Sequence, residues 1–461
     1  MTLSSSLPTG RRTQWRAGLA GRPLAEAAVW AVVLSIAFLS IYGGINWLTG
    51  HRANVGTLYF SWENRIPFVP AMVLPYMSID VLFFFSPFLC ADRGELRAHA
   101  RRLMLAILVG AVCFLLFPLQ FGMPRPVTPG AMGWIYRFLY GFDRPYNLVP
   151  SLHITLCVLV WAIYARHTSG LLRRGIDAWF LLVAASTLLT WQHHIVDIVG
   201  GLVLAVFCFY VFPDGAAGDE PDTRGHPRPP RNALAAGLYF TGAALFLVAA
   251  FAWRPWGMLL LWYVLALGIM SAAYLGFGEG VFRKTRGRLP LSTHLVLLPY
   301  LLSDRLFFLS YRRGSKPYDE IAPGVIVGRW LSHREGRALL ELGVTAVLDL
   351  SAEYAECAPL RGVVYRSVPV LDLTAPSVAK LREAVQFIRT HARGGTVYVH
   401  CKMGFSRSAC AAAAYLLTEG IAANVEDAMN HVRRARPQAR LGRHAAAVLA
   451  DYHSSRENAD A

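Results

Sequence analysis

The sequence has few charged residues for its length and almost no lysine. Charged side chains make up 16% of the 461 residues, whereas soluble domains carry about 25%. The mean hydropathy is +0.38, which also argues against an ordinary soluble enzyme. Only four of the 45 basic residues are lysine, and this arginine bias is typical of a GC-rich bacterial genome.

Paired cysteines are also missing. The seven cysteines form no CxxC pair and no regular ladder, which excludes a disulfide scaffold. A net charge of +16 would indicate a nucleic-acid partner for a soluble protein. Beside long apolar runs it indicates arginine-rich loops next to anionic lipid. We therefore expect membrane lipids, and no nucleic acid, as partners.

Apolar runs close to the ~20 residues that cross a bilayer recur through the first 280 positions. The first run is too long for a signal-peptide core and has no evident cleavage site, so we interpret it as a retained span. The pattern predicts eight spans, at 26–48, 70–91, 103–121, 152–165, 176–192, 196–212, 233–252 and 257–276.

The distribution of arginine in the short loops predicts the orientation of these spans. Basic residues cluster on the side that also holds the N-terminus, which makes that side cytoplasmic. They are Arg93, Arg97, Arg101, Arg102, Arg166, Arg173, Arg174, Arg283, Lys284, Arg286 and Arg288. The outward loop 122–151 breaks the rule because it carries Arg125, Arg137 and Arg144. Charges that oppose a topology rule are often functional.

The character of the chain changes twice after the sixth span. Residues 213–232 are rich in proline and glycine and read as a linker. Residues 289–311 are apolar but interrupted by polar residues, which favours an interfacial helix over a ninth span. After Arg313, short β-branched runs at 325–329, 346–350, 363–370 and 396–400 alternate with amphipathic segments, which predicts a soluble α/β domain.

The predicted organisation has seven parts. They are a basic cytoplasmic N-terminus (1–25), a six-span membrane domain (26–212), the linker (213–232), a two-span hairpin (233–276), a basic and interfacial segment (277–313), the α/β domain (314–455) and a tail (456–461).

The segment Thr396–Ser408 carries the first candidate site. It reads TVYVHCKMGFSRS, with a cysteine and an arginine six residues apart. A β-branched strand ends at His400, a loop containing Gly404 follows, and an alanine-rich helix begins near Arg407. This arrangement points backbone N–H groups into a phosphate-sized concavity at a helix N-terminus. The loop residues expected to bind phosphate in this way are Lys402, Met403, Gly404, Phe405 and Ser406.

The side chains around this loop suit a double displacement. The helix N-terminus lowers the pKa of Cys401, so a thiolate nucleophile exists near neutral pH. Arg407 offers a planar fork to two phosphate oxygens, and Ser408 donates to the departing thiolate. Asp372, in PVLDLTAP just past a strand, is the best-placed acid for the leaving group and then the base for the attacking water. Asp349 lies within a strand, where a structural role is favoured.

Residues 316–453 resemble the cysteine-dependent dual-specificity phosphatases, whose motif HCxxGxxRS is matched from His400 to Ser408. The resemblance implies an α/β fold with a small, mostly parallel sheet flanked by helices, and no metal; we expect no cofactor. Lys402 is similar to the residue found after the nucleophile in lipid-directed members. Phe405 stands where some phosphoinositide enzymes have a second lysine. We expect phospholipid phosphates as substrates, and phosphoproteins remain the alternative.

A second candidate site lies where the predicted spans meet the outer face. Ser151 and His153 open span four, while His193 and Asp197 lie four residues apart on one helical face. Titratable residues at membrane depth are costly and usually functional. A carboxylate at this spacing orients the His193 ring and raises its basicity, as a nucleophile requires, and His153 then serves as acid.

The segments PYNLVPSLH (145–153) and HHIVDIVGG (193–201) resemble the type 2 phosphatidic acid phosphatase superfamily, nearest its inositolphosphorylceramide-synthase branch. The resemblance implies that His193 is phosphorylated, Asp197 orients it, His153 is the acid and Arg125 binds phosphate. Pro118 and Thr187 stand at a lysine and an arginine position of the family, so two phosphate-binding cations are missing. The roles of Asp80 and His194 stay open.

We therefore expect a multi-pass α-helical protein of the bacterial cytoplasmic membrane with a C-terminal α/β phosphatase domain in the cytoplasm. The two candidate sites face opposite sides of the bilayer and are expected to catalyse independent or sequential reactions. Two alternatives remain. The helices form an inert anchor for a phosphoprotein phosphatase, or they form a head-group transferase.

Overall fold

The computed structural model describes residues 21–214, 232–253 and 256–460. The chain divides into two compact units, residues 1–215 and 216–461. Residues 215–231 of the predicted linker and most of the predicted basic N-terminus lie outside the described residues. Each unit is described by itself.

The described part of the first unit consists of α-helices joined by loops and short 3-10 turns. Its helices are α1 (Leu24–Thr49), α2 (Val73–Leu89), α3 (Arg93–Leu116), α4 (Gly130–Phe142), α5 (Leu152–Arg166), α6 (Gly170–Leu189) and α7 (Ile195–Val211). The buried core joins α1, α2, α3, α5, α6 and α7 through leucine, phenylalanine and alanine side chains. Small residues set the closest approach: a Cβ on Gly201 would lie 2.5 Å from the Ser151 carbonyl oxygen, so α7 packs directly on the start of α5.

Two helices begin earlier than the sequence predicted, because polar residues start them. Asp92 accepts a hydrogen bond from the Glu95 N–H, so α3 begins at Arg93 rather than near 103. Helix α6 begins at Gly170 rather than 176, with Arg173 paired to Asp177 on its surface. The arginines assigned to loops between spans therefore lie on helices. Helix α4 also lies inside the predicted outer loop.

Five helical segments are long and apolar enough to cross a bilayer, compared with the eight spans predicted. They are Leu24–Thr49, Pro70–Leu89, Arg93–Leu116, Ala233–Ala252 and Trp256–Phe282. The helices Leu152–Arg166 and Ile195–Val211 are apolar but shorter. The remaining predicted span coincides with α6, whose first turns carry charged residues.

The second unit begins with four further helices. They are α8 (Ala233–Ala252), α9 (Leu261–Ala272), α10 (Leu291–Val296) and α11 (Leu298–Arg312). Helix α9 continues through a π-helical turn and a 3-10 turn to Phe282, and Gly276 adopts a φ of 139° at the kink. The apolar segment 289–311 forms two helices rather than one. Pro299 lies at the start of α11, where its missing N–H costs no hydrogen bond.

The expected α/β fold follows, built on a mixed five-stranded sheet. Its strands are β1 (Tyr318–Ala322), β2 (Val325–Arg329), β3 (Val344–Ser351), β4 (Val364–Val370) and β5 (Thr396–Cys401), in the order β1-β2-β5-β3-β4. Strand β1 runs antiparallel to β2, and the other pairings are parallel. The parallel strands therefore end at one edge of the sheet, which is where Cys401 lies.

Helices cover both faces of this sheet. They are α12 (His333–Glu341), α13 (Val378–Ala392), α14 (Arg407–Thr418), α15 (Val425–Ala435) and α16 (Arg443–Asp460). Leu348 and Val399 pack towards α13 and α14, while Val347 and Tyr398 on the same strands pack towards α12. The alanines of α14 are fully buried, which lets this helix lie close to the sheet. Helix α16 runs through the segment predicted as a tail.

Candidate active site

The segment that follows β5 forms a tight loop around a cysteine sulfur. Cys401 ends the strand and α14 begins six residues later at Arg407. The Gly404 N–H donates to Cys401 Sγ over 3.3 Å, and the Ser408 hydroxyl donates to it over 3.4 Å. Gly404 has a φ of 70°, and a Cβ there would lie 2.4 Å from the Gly328 carbonyl oxygen. Only glycine allows this loop to close.

The carbonyl groups of the loop are held on its outer side. Those of Lys402 and Phe405 accept hydrogen bonds from the backbone N–H groups of Trp330 and Arg440. The Gly404 carbonyl accepts from the buried Arg436 guanidinium over 2.8 Å. With these carbonyls turned away, the Gly404 N–H points to the sulfur, as anion binding requires. Met403 and Ser406 contribute backbone to the same loop.

The Cys401 sulfur is favoured as a thiolate. Burial raises the pKa of Cys401, but the positive charge of Arg407 and the hydrogen bonds from Ser408 and Gly404 outweigh burial. The net effect lowers the pKa below that of an ordinary thiol. A thiolate is the nucleophilic form of cysteine.

Arg407 is buried and fixed by a carboxylate that the sequence analysis missed. Its two terminal nitrogens donate to Glu353 over 2.9 and 2.7 Å, and one of them also donates to the Val370 carbonyl over 2.8 Å. Glu353 lies in SAEYAE, directly after β3, at the edge of the sheet where Cys401 also lies. The sequence did contain a signal for this role, because Glu353 is an acidic residue that directly follows a buried strand. This pairing holds the guanidinium plane in place beneath the loop.

Asp372 lies between the two cations of the site. Its carboxylate is 3.1 Å from Arg407 Nη2 and 3.1 Å from Lys402 Nζ. Burial raises the pKa of Asp372, but the charges of Arg407 and Lys402 outweigh burial and hold it at about 2. The carboxylate is therefore ionised at neutral pH in this structure. A phosphate dianion between the same cations opposes their field and favours the protonated acid.

Lys402 is paired with two carboxylates. Its ammonium lies 2.5 Å from Asp304 Oδ1 on α11, as well as 3.1 Å from Asp372. Burial lowers the pKa of Lys402, but Asp372 and Asp304 outweigh burial and raise it. The sequence analysis named Lys402 as extra charge for a phosphate and did not assign a role to Asp304.

Behind the loop, His400 belongs to a buried ion-pair network. Its Nε2 lies 2.6 Å from Glu356 and 3.8 Å from Asp349. Burial lowers the pKa of His400, but these carboxylates outweigh it and raise the pKa to about 9. Asp349 also lies 2.5 Å from Lys284 and accepts from the Tyr365 hydroxyl over 2.7 Å. Asp349, Glu356 and His400 are close enough to one another to hold a metal ion. However, Lys284 and protonated His400 already balance the negative charge of the two carboxylates.

In the first unit, two residues of the second predicted set line one cavity, and the other two lie next to its lining. His153 and His193 both line it, and His193 Nδ1 lies 3.3 Å from Asp197 Oδ2. Arg125 donates to the Asp143 carbonyl over 2.8 Å and to the Gln192 side chain over 3.1 Å. The four predicted residues thus belong to one neighbourhood.

Two carboxylates also line this cavity, and neither was assigned to it from the sequence. They are Asp80 and Asp143, the latter accepting from the Tyr42 hydroxyl over 2.8 Å. The carbonyl of Thr187, at a family arginine position, accepts the His193 N–H. His194 is buried with Glu63, 3.0 Å away. The cavity is therefore lined by two carboxyl groups as well as by two histidines.

Comparison with known proteins gives a family match for the C-terminal part only. The family model of the dual specificity phosphatase catalytic domain matches residues 325–455. No family match covers the first unit, so the resemblance to lipid phosphatases there rests on its motifs alone.

Curated relatives match over about a quarter of this chain. Phosphatidylglycerophosphate phosphatase PTPMT2 of Arabidopsis thaliana is 33% identical over 131 residues, covering 27% of this chain and 57% of the relative. Phosphatidylglycerophosphatase and protein-tyrosine phosphatase 1 of Mus musculus is 35% identical over 111 residues, 22% of this chain and 58% of the relative. Dual specificity protein phosphatase 22 of Homo sapiens is 31% identical over 121 residues, 26% of this chain and 64% of the relative.

This chain therefore spans about half the length of the curated relatives it matches, and slightly more in the best cases. A solved structure of PTPMT1 in complex with PI(5)P is 26% identical, covers 32% of this chain and all of that chain, and has a TM-score of 0.30. The family match and the relatives together support a phosphatase domain in the second unit.

Proposed function

We propose that the second unit hydrolyses phosphomonoesters through a phosphocysteine. The Cys401 thiolate attacks phosphorus, the bond from phosphorus to the ester oxygen breaks, and Asp372 gives that oxygen a proton. Water then attacks the phosphocysteine and loses its proton to Asp372, and the S–P bond breaks to release inorganic phosphate and the thiolate. Ser408 stabilises the departing sulfur, and Arg407 with the loop N–H groups binds the phosphoryl oxygens.

One observation carries this proposal. The sulfur of Cys401 accepts hydrogen bonds from both the loop and the first turn of α14, at the point where the helix N-terminus and Arg407 converge. A merely buried cysteine lacks this environment. Cys410, in the first turn of α14, is such a residue: burial raises its pKa to about 12.

We propose phospholipid phosphates as the substrates. Two of the relatives are named for phosphatidylglycerophosphate, which carries its phosphomonoester on a membrane lipid. The loop that holds Asp372 is also bonded to the apolar helices of the same unit. Tyr274, after α9, donates to the Asp372 carbonyl over 3.0 Å, and Asn232, before α8, donates to the Leu373 carbonyl over 3.0 Å. These contacts hold the catalytic loop at the ends of helices with membrane-spanning composition.

We propose that the chain is a multi-pass protein of the cytoplasmic membrane with its phosphatase domain on the cytoplasmic side, the side that the arginine distribution predicts. The alternative is a tethered phosphatase for phosphoproteins. The two are separated by assaying the purified full chain on phosphatidylglycerophosphate, phosphatidate and a phosphotyrosine peptide. We expect the phosphatidylglycerophosphate to be hydrolysed fastest and Cys401→Ser to abolish release of phosphate. Full activity of Cys401→Ser on every substrate would disprove the mechanism.

The cavity of the first unit supports a second candidate activity. His153 and His193 line it together, and Asp197 orients the His193 ring, which suits phosphoryl or head-group transfer through His193. Asp80 and Asp143 oppose binding of a phosphomonoester dianion and favour a phosphodiester, which has less negative charge. If His193→Ala changes no lipid reaction while Cys401→Ser abolishes all of them, the helices serve as an anchor.

A further inference from the structure

Helix α11 has two faces of different character. Phe308 on its inner face is fully buried and packs on the rings of Trp330 and Tyr354. Its outer face presents a stripe of leucines at helical spacing, each about two fifths exposed or more. The stripe consists of Leu298, Leu302, Leu306 and Leu309. A soluble surface rarely carries such a continuous apolar stripe without a partner.

The inner face ties α11 to the phosphate loop. Asp304 is nine-tenths buried and lies 2.5 Å from the ammonium of Lys402, the residue after the nucleophile. Arg305 stacks on the Trp330 ring at 4.4 Å, which fixes the turn that carries Asp304. The position of α11 is therefore coupled to a cation beside Cys401.

The α10–α11 pair packs against helices that are apolar enough to cross a bilayer. Trp262 on α9 donates to the Leu295 carbonyl just before α11, and the Tyr239 ring on α8 contacts Tyr300. Exposed cations lie in the chain on both sides of the α10–α11 pair, at Arg286, Arg288 and Arg313. An apolar stripe next to apolar helices, flanked by arginines, complements an anionic lipid surface.

We propose that α11 positions the lipid substrate. Its leucine stripe contacts the bilayer, and Asp304 on its inner side pairs with Lys402 until a substrate phosphate replaces the Asp304 carboxylate. The inference rests on the proposed function of Cys401 and adds the element that selects membrane-embedded phosphomonoesters. Acyl chains along the stripe place the head group beside Lys402. A soluble phosphomonoester gains nothing from the stripe, but it competes with the same Asp304 carboxylate.

The stripe is tested by comparing two substrates in the full chain reconstituted in phospholipid nanodiscs. Leu302→Gln with Leu306→Gln removes apolar surface from a solvent-exposed face, so the fold is not the target. We expect kcat/KM for phosphatidylglycerophosphate to fall about tenfold, while that for p-nitrophenyl phosphate stays unchanged. The matched control, Leu342→Gln with Ile421→Gln, changes equally exposed residues elsewhere on the catalytic domain and leaves both values unchanged.

Substitution of Asp304 should affect KM for both substrates, unlike substitution of the leucines. Asp304→Asn removes the charge that competes for Lys402, so KM for both substrates falls, by about tenfold for a charge-assisted hydrogen bond, while kcat changes little. A purely structural role for Asp304 would raise KM or lower kcat instead.

For the leucine variant, an equal loss of kcat/KM on both substrates, or no loss on the lipid, would overturn the proposal.

The occupant of the stripe is identified by labelling. A fluorophore attached through Leu306→Cys should be quenched by a lipid-borne quencher, whereas one attached through Leu342→Cys should be quenched only from water. Protection of position 306 from both quenchers would indicate a protein partner or a second copy and would contradict the lipid assignment. If the parent protein did not hydrolyse p-nitrophenyl phosphate at all, the proposed function itself would be contradicted.

Discussion

At the scale of residues, the site is defined by a balance of charges around one sulfur. Arg407 and Lys402 supply positive charge, and Glu353, Asp372 and Asp304 already pair with them. A substrate phosphate must exchange partners with Asp372 and Asp304 rather than fill an uncompensated positive pocket, while Glu353 keeps Arg407 in place. Catalysis therefore requires Asp372 and Asp304 to release their cations, while Arg407 and Lys402 stay in place.

The role of Asp372 predicts a dependence on the leaving group. Asp372→Asn cannot donate a proton, so kcat for a lipid phosphate, whose alkoxide leaving group needs that proton, should fall by about 10²-fold or more. Hydrolysis of p-nitrophenyl phosphate should fall much less, because its phenolate leaves without protonation. The comparison is made by measuring phosphate release from both substrates. Equal losses on the two substrates would remove Asp372 from the acid role.

The ion pair behind the loop predicts how stability depends on pH. The folded-state pKa of His400, about 9, lies above its ordinary value near 6.5. The pair with Glu356 therefore stabilises the fold fully below about pH 6.5, and this contribution is lost as the pH rises through about 9.

Glu356→Gln should accordingly destabilise the catalytic domain most below pH 6.5 and least above pH 9. The readout is the temperature at which the full chain loses p-nitrophenyl phosphate hydrolysis, measured across that pH range. A difference between parent and variant that grows with pH would contradict the assignment of the charge to His400.

At the scale of elements, the sequence predicted the strands that carry β-branched runs. Strands β2 to β5 lie where those runs occur, whereas β1 was missed because YDEIA contains two carboxylates. Helix starts were misplaced in the first unit because side-chain caps such as Asp92 extend a helix beyond its apolar part. Local patterns thus predict the location of an element more accurately than the residue at which it begins.

The phosphate loop could be predicted as a unit because its residues are contiguous. Its partners could not, because they come from distant positions. Asp304 lies 98 residues before Lys402, and Glu353 lies 54 residues before Arg407. Such pairs depend on how elements pack, and a single sequence has no local signal for them.

The conformation of Gly404 predicts a sharp effect of one methyl group. Gly404→Ala introduces a Cβ against the Gly328 carbonyl oxygen at a φ of 70°, so the loop must shift. Displacing groups that bind the transition state by about 1 Å costs on the order of 100-fold in kcat. Gly394→Ala is the matched control, because nothing lies within 4 Å of a Cβ there. Equal activity of the two variants would show that the loop is not held as described.

At the scale of the whole molecule, the proposal places the phosphatase domain on the cytoplasmic side of a membrane. The test uses a reporter that is active only in the cytoplasm. Fused after residue 461, it should be active, because the arginine distribution predicts that this end lies on the cytoplasmic side. The control is a reporter inserted in the predicted outer loop 122–151, which should give the opposite signal. An external signal from the C-terminal fusion would overturn the sidedness.

The central claim is that the Cys401 thiolate captures phosphorus, and trapping the intermediate tests it most directly. The full chain is quenched during turnover of a ³²P-labelled phosphomonoester lipid, and the labelled peptide is identified by mass spectrometry. We predict that the label lies on Cys401 and is absent in Cys401→Ser. Label on His193 alone, or continued turnover with no labelled cysteine, would contradict the account.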